Sequence, residues 1–149
     1  MKFQGIVQFR SSIRPGSGPP GEAEVLALNP QRVEYILKTT GWIHLEPGSL
    51  NLTVDNAVVD DLLKLKPVLI EDGTTVRYPD AFKHIPQLRK AYYYYRARLN
   101  IGDSAQEVLV RRAHVPVPGR VELFAPINLR STLNLAIGDR VVVEVLESN

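Results

Sequence analysis

Short runs of alternating apolar residues, each cut off by turn residues, constrain this chain more than any other feature. In residues 140–146, Val141, Val143 and Val145 fall on one side of an extended backbone. Successive side chains on a strand point to opposite faces, so such a run buries one face and does not suit a helix. The same alternation places Phe3, Gly5, Val7 and Phe9 together in residues 2–9, and Leu50, Leu52 and Val54 together in residues 49–54. Residues 22–28, 74–78, 92–99, 107–113 and 120–124 also suit strands, with Asp72-Gly73, Gly102-Asp103, Gly119 and Gly138-Asp139 as turns. One segment has clear helical spacing. Asn29-Pro30 supplies an N-cap and a first-turn proline, Val33, Ile36 and Leu37 follow, and Gly41 stops the run, which predicts a helix over 30–40. Residues 58–65 and 128–135 suit short helical stretches. Many short strands with one clear helix predict a mainly β (α+β) fold, a small six-stranded barrel.

Composition narrows the function classes. A length of 149 residues fits one domain over 1–149, and 44% hydrophobic with 23% charged residues excludes wholesale disorder. The absence of cysteine removes thiol catalysis, disulfides and cysteine-held metals together. No signal-like or membrane-length apolar run is present, which leads us to expect a cytoplasmic chain without a membrane partner. The net charge of +2 is spread along the sequence, with small clusters only at Arg96/Arg98 and Arg111/Arg112. A nucleic-acid binder carries a denser basic face, whereas a small anionic ligand needs only a few placed cations.

Three stretches share a family pattern. Residues 42–54, with Pro47-Gly48-Ser49-Leu50-Asn51-Leu52, resemble the G-F-x-P-x-x-G-T-L-N-L segment of the archaeal CTP-dependent riboflavin kinases. Residues 120–145 resemble the closing segment of that family through Val121-Glu122-Leu123-Phe124-Ala125-Pro126-Ile127-Asn128-Leu129-Arg130, then Leu133-Asn134-Leu135 and Gly138-Asp139. Gly5-Ile6-Val7 is similar to the start of the family's first strand. Order and spacing agree across about half the chain, while residues 55–107 contribute little. The resemblance implies a cradle-loop (RIFT-related) barrel that moves phosphate from CTP to the 5′-hydroxyl of riboflavin, giving FMN and CDP. It is expected to act as a monomer or small homo-oligomer. Two other readings stay open: a flavin- or nucleotide-binding module without turnover, and a DNA-binding regulator, against which the scattered basic residues speak.

Within that frame, Ser49 and Asn51 are two apart on a strand and so share a face, with Leu50 and Leu52 turned to the core. A hydroxyl and an amide oxygen are hard, neutral donors that suit Mg2+, which takes its other ligands from water and phosphate. The bland reading makes them the solvated flank of a turn. The resemblance puts Glu122 beside the flavin, as acceptor or anchor for the attacking hydroxyl. It puts Ile127, Asn128, Leu129 and Arg130 at the nucleotide, Arg130 as a phosphate partner, with Asn128 also capping a short helix. His114 falls near a flavin-contacting position. Arg14, Gly16, Ser17 and Gly18 occupy the place of a phosphate-cradling glycine loop, but Pro15, Pro19 and Pro20 remove backbone donors from it, and a surface loop accounts for it equally well. His44, His84 and His114 lack metal-ligand spacing. Of the four tyrosines at 92–95 only alternate ones share a face, so wall packing is expected of them rather than a stacking platform.

Overall fold

The sheet closes on itself through its longest strand. The computed structural model describes residues 1–8, 29–72, 75 and 91–147. Within them the elements run β1 (Lys2–Val7), α1 (Pro30–Thr40), β2 (Leu50–Thr53), α2 (Asn56–Leu63), β3 (Leu69–Glu71), β4 (Tyr92–Ile101), β5 (Ser104–Ala113), β6 (Arg120–Phe124), α3 (Leu129–Thr132) and β7 (Arg140–Val145). The strand order is β3-β4-β5-β6-β2-β1-β7, and β7 pairs back onto β4, so six strands form a closed antiparallel barrel. β4 is long enough to serve two neighbours on one edge. β3 lies opposite Tyr92 to Tyr94, and β7 lies opposite Ala97 to Asn100.

Alternation sorts the side chains into two cores. Facing inward are Phe3 and Val7 of β1, Leu50 and Leu52 of β2, Tyr95, Ala97 and Leu99 of β4, and Val141, Val143 and Val145 of β7, joined by Val59 and Leu62 of α2. Facing outward, Tyr94, Leu109 and Phe124 pack with Ile36 of α1 and with Leu45. The four tyrosines divide as the pleat demands, Tyr93 and Tyr95 with the inner core and Tyr92 and Tyr94 with the outer.

The predicted helix over 30–40 is α1. The Asn29 side chain accepts from the amides of Gln31 and Arg32 at 3.0 and 3.4 Å, and the Gly41 amide donates to Leu37 O. The helix expected over 58–65 occupies Asn56–Leu63, and the stretch expected over 128–135 contains the single turn of α3. β3 carries no alternation long enough to mark it in advance. The strand expected at 22–28 and all of that expected at 74–78 except Thr75, which lies in a turn, fall outside the described residues. No helix among the described residues is long and apolar enough to cross a membrane.

Gly5 marks where β1 meets β2 most closely. A Cβ on it would sit 2.9 Å from Leu52 Cδ1 and 3.1 Å from Leu52 Cβ. Gly5→Ala forces a fully buried leucine to move and is expected to cost about 1–3 kcal/mol, read as a lower denaturant midpoint at unchanged slope. A midpoint equal to that of the parent would mean the barrel yields freely here.

Candidate active site

The site residues lie on the outer face of the wall, at the level where β2, β6, β5 and β4 run side by side. Cross-strand pairing sets Asn51 opposite Glu122, Glu122 opposite Arg111, and Arg111 opposite Tyr94. Directly opposed residues on adjacent strands share a face, so these four form one row. Ser49 joins it because the chain bends at Pro47-Gly48, with Gly48 at φ 86, a conformation that favours glycine. Glu46 N donates to Ala125 O at 2.9 Å and Leu45 is buried, which ties this approach segment to the end of β6.

Glu122 is the hub. Its Oε2 accepts from Ser49 Oγ at 2.8 Å and from Arg111 Nη2 at 2.7 Å, while Oε1 accepts from Arg120 Nη2 at 3.3 Å. Arg111 lies between two rings, its guanidinium carbon 4.3 Å from the Tyr92 centroid and 4.7 Å from that of Phe124. Among the described residues, Arg111 Nε has no hydrogen-bond partner, so the rings and one carboxylate fix this group. Burial works to raise the Glu122 carboxyl, but Arg111, the Ser49 hydroxyl and Arg120 more than offset it, and its pKa lies below the ordinary 4.5.

A second buried cluster continues the row beneath α1. Arg32 of α1 grips Glu71 of β3 with Nε at 3.0 and 2.9 Å and Nη2 at 2.7 Å, and Tyr94 Oη donates to Glu71 Oε2 at 2.6 Å. Burial pushes the Tyr94 phenol well up, which keeps it a donor. Burial also works to raise Glu71, yet Arg32 foremost, with Arg111 and Tyr94, carries it below 4.5. The charges alternate in sign from Arg32 through Glu71, Arg111 and Glu122 to Arg120.

Both carboxylates are depressed in the folded protein, so the unfolded chain binds protons first as acidity rises. Their contribution is complete above pH 4.5 and is lost as pH falls below that value. Stability is therefore expected to hold from neutrality to about pH 5 and to fall steeply beneath it, with Glu122→Gln flattening part of the fall. A profile equally steep in that variant would remove Glu122 from the account.

Ser49 also lines a small cleft, about 20 Å³ in volume, with Glu46, Gly48, Ile127, Asn128, Leu129 and Arg130 among its other walls. That volume admits about one water-sized group. The resemblance assigned these two stretches to metal and nucleotide, and here they meet. Asn128 Oδ1 accepts from Ser131 N at 3.1 Å, and Leu129 is buried. Asn51 is 2% exposed, in the row beside Glu122 but not among the cleft's walls. His114 stands apart from Glu122. Its Nδ1 pairs with Tyr93 Oη at 2.7 Å and its ring stacks on Tyr93, on the inner-facing side of β4. Arg14, Gly16, Ser17 and Gly18 lie outside the described residues.

Sequence reasoning passed over Arg111, Arg32 and Glu71. Arg32 falls four residues before Ile36, on the apolar face of α1, where a cation needs a buried partner. Nothing local points to Glu71, which is 39 residues away.

By donor type the set fits a hard divalent cation, although Ser49 lines the cleft and Asn51, buried, does not. Ser49 and Asn51 offer neutral oxygens with the Glu122 carboxylate behind them, and no trio of His, Cys, Asp or Glu among the described residues makes a fuller cage. Mg2+ is commonly held by few protein atoms, the rest coming from water and phosphate. No family model matches the chain. Over 107 residues it is 32% identical to a riboflavin kinase of Thermococcus kodakarensis, an alignment covering 68% of this chain and 44% of that protein. It is similar to riboflavin kinases. A second, from Pyrococcus furiosus, is 29% identical over 102 residues, covering 67% of this chain and 43% of the relative. The chain thus spans less than half the length of the curated relatives it matches.

Proposed function

We propose that this chain is the phosphoryl-transfer domain of a riboflavin kinase, passing the terminal phosphate of CTP to the 5′-hydroxyl of riboflavin to give FMN and CDP. One observation carries the reading. Ser49, whose hydroxyl is hydrogen-bonded to Glu122, lines the same cleft as residues 127–130. That juxtaposition supports a site where metal-binding, hydroxyl-orienting and nucleotide-binding groups adjoin, and the likeness to two riboflavin kinases supports the substrate.

In the reaction the ribityl oxygen bonds to the terminal phosphorus, the bond to the bridging oxygen breaks, and the hydroxyl proton is released. Mg2+, when bound, neutralises and aligns the phosphate oxygens. Ser49 and Asn51 are the residues that would hold it. Glu122 is already engaged by Ser49 and two arginines, and its lowered pKa makes it a weak base. Its Oε1, held among the described residues by the longer bond to Arg120, accepts from the substrate hydroxyl and aims it. A loose phosphoryl-transfer transition state asks for such positioning more than for a strong base. Backbone groups of residues 127–130 take the cytosine edge, and Arg130 meets phosphate. Glu122 and His114, the latter paired with Tyr93, are the flavin contacts of this reading.

A binding module without turnover is favoured by one feature, the three prolines at 15, 19 and 20, which take away amide donors. Incubation of the purified chain with riboflavin, Mg2+ and CTP, ATP or GTP, followed by chromatography, separates the two readings. FMN formation with CTP supports the kinase. Binding of FMN or CDP without product from any donor supports the module and overturns the kinase.

A further inference from the structure

Serine can act as a metal ligand only when its proton points away from the metal, and here one acceptor decides that direction. Ser49 Oγ donates to Glu122 Oε2 at 2.8 Å, and the same oxygen accepts from Arg111 Nη2 at 2.7 Å. With its one proton spent on Glu122, the serine keeps its lone pairs for the cleft it lines. Where Glu122 Oε2 stands therefore fixes what Ser49 presents. Oε2 stands where Arg111 holds it. Arg111 is in turn clamped on both ring faces by Tyr92 and Phe124, and its side chain is 11% exposed.

We propose that Arg111 is a positioning residue: by anchoring Glu122 it turns the Ser49 proton away from the cleft and keeps the serine oxygen available as a cation ligand. This inference rests on the kinase reading of the site but concerns a residue that reading does not use. The role needs the planar guanidinium, because a flat group fills the slot between two rings while its edge delivers a directed N–H. A lysine carries the same charge but has neither the plane nor the fixed direction. Partners that orient a metal ligand from behind typically account for 10–100-fold in affinity.

Mn2+ binding to the CDP-loaded chain, followed by electron paramagnetic resonance, tests the role independently of turnover. Arg111→Lys is expected to weaken Mn2+ binding about tenfold. In a Ser49→Ala background the same change is expected to add nothing, since the group it orients is gone. A merely structural role would lower the melting temperature and leave the cation affinity unmoved. Should Arg111→Lys fail to fold, Tyr92→Leu removes one face of the clamp while keeping both charges, and a severalfold weakening is expected. Unchanged affinity in the folded variants, with Ser49→Ala still weakening the parent, overturns this inference alone. A parent chain that binds no Mn2+ with CDP overturns both it and the metal site.

Discussion

Glu71→Ala is expected to lower stability by about 3–5 kcal/mol, the range for removing one partner from a buried ion pair. The loss has two sources. Arg32 is left as a buried charge without its carboxylate, and the Tyr94 hydroxyl, fully enclosed, loses its acceptor. For a domain of this length the change corresponds to a fall of about 10 °C in melting temperature by scanning calorimetry. Replacing both partners with leucine is expected to recover most of the loss, because two buried charges are then no longer desolvated. A single substitution costing less than 1 kcal/mol would show that α1 is held to the barrel by its apolar face alone.

The second large effect is catalytic. On the proposed reading, Ser49→Ala and Asn51→Ala are each expected to slow FMN formation about 100-fold or more, since each would remove an oxygen that holds the cation neutralising the transferring phosphate. Far-UV circular dichroism should change little for Ser49→Ala, whose main contact is one hydrogen bond to Glu122. The Mg2+ dependence of the residual rate is expected to shift to higher concentration in both variants. Rates within threefold of the parent would place the two side chains outside the reaction.

Legibility in the sequence followed the range of the interaction. Alternation marked β1, β2, β6 and β7 because burying one face of a strand leaves a pattern of period two, and Asn29-Pro30 with Gly41 marked both ends of α1. The outward turn of Asn51 and of Glu122, away from Leu50, Leu52, Val121 and Leu123, follows from the same pleat. Three residues are too few to show a pattern, so β3 went unseen, and with it Glu71. The contacts that make a site of these residues are long-range. Ser49 meets Glu122 across 73 positions, and Arg32 meets Glu71 across 39. Arg111 and Arg112 looked alike as a basic pair. Strand geometry sends Arg111 to the outer face and Glu122, and Arg112 to Tyr95 and Tyr93.

Ser49 and Asn51 are proposed to hold a divalent cation together beside the nucleotide. Crystals grown with CDP and Mn2+, measured for anomalous scattering, test it most directly. One strong peak is expected within bonding distance of Ser49 Oγ and Asn51 Oδ1, with Glu122 behind Ser49 and phosphate oxygens completing the shell. Bound nucleotide with the metal elsewhere, or with Asn51 still buried and turned from it, would contradict the account.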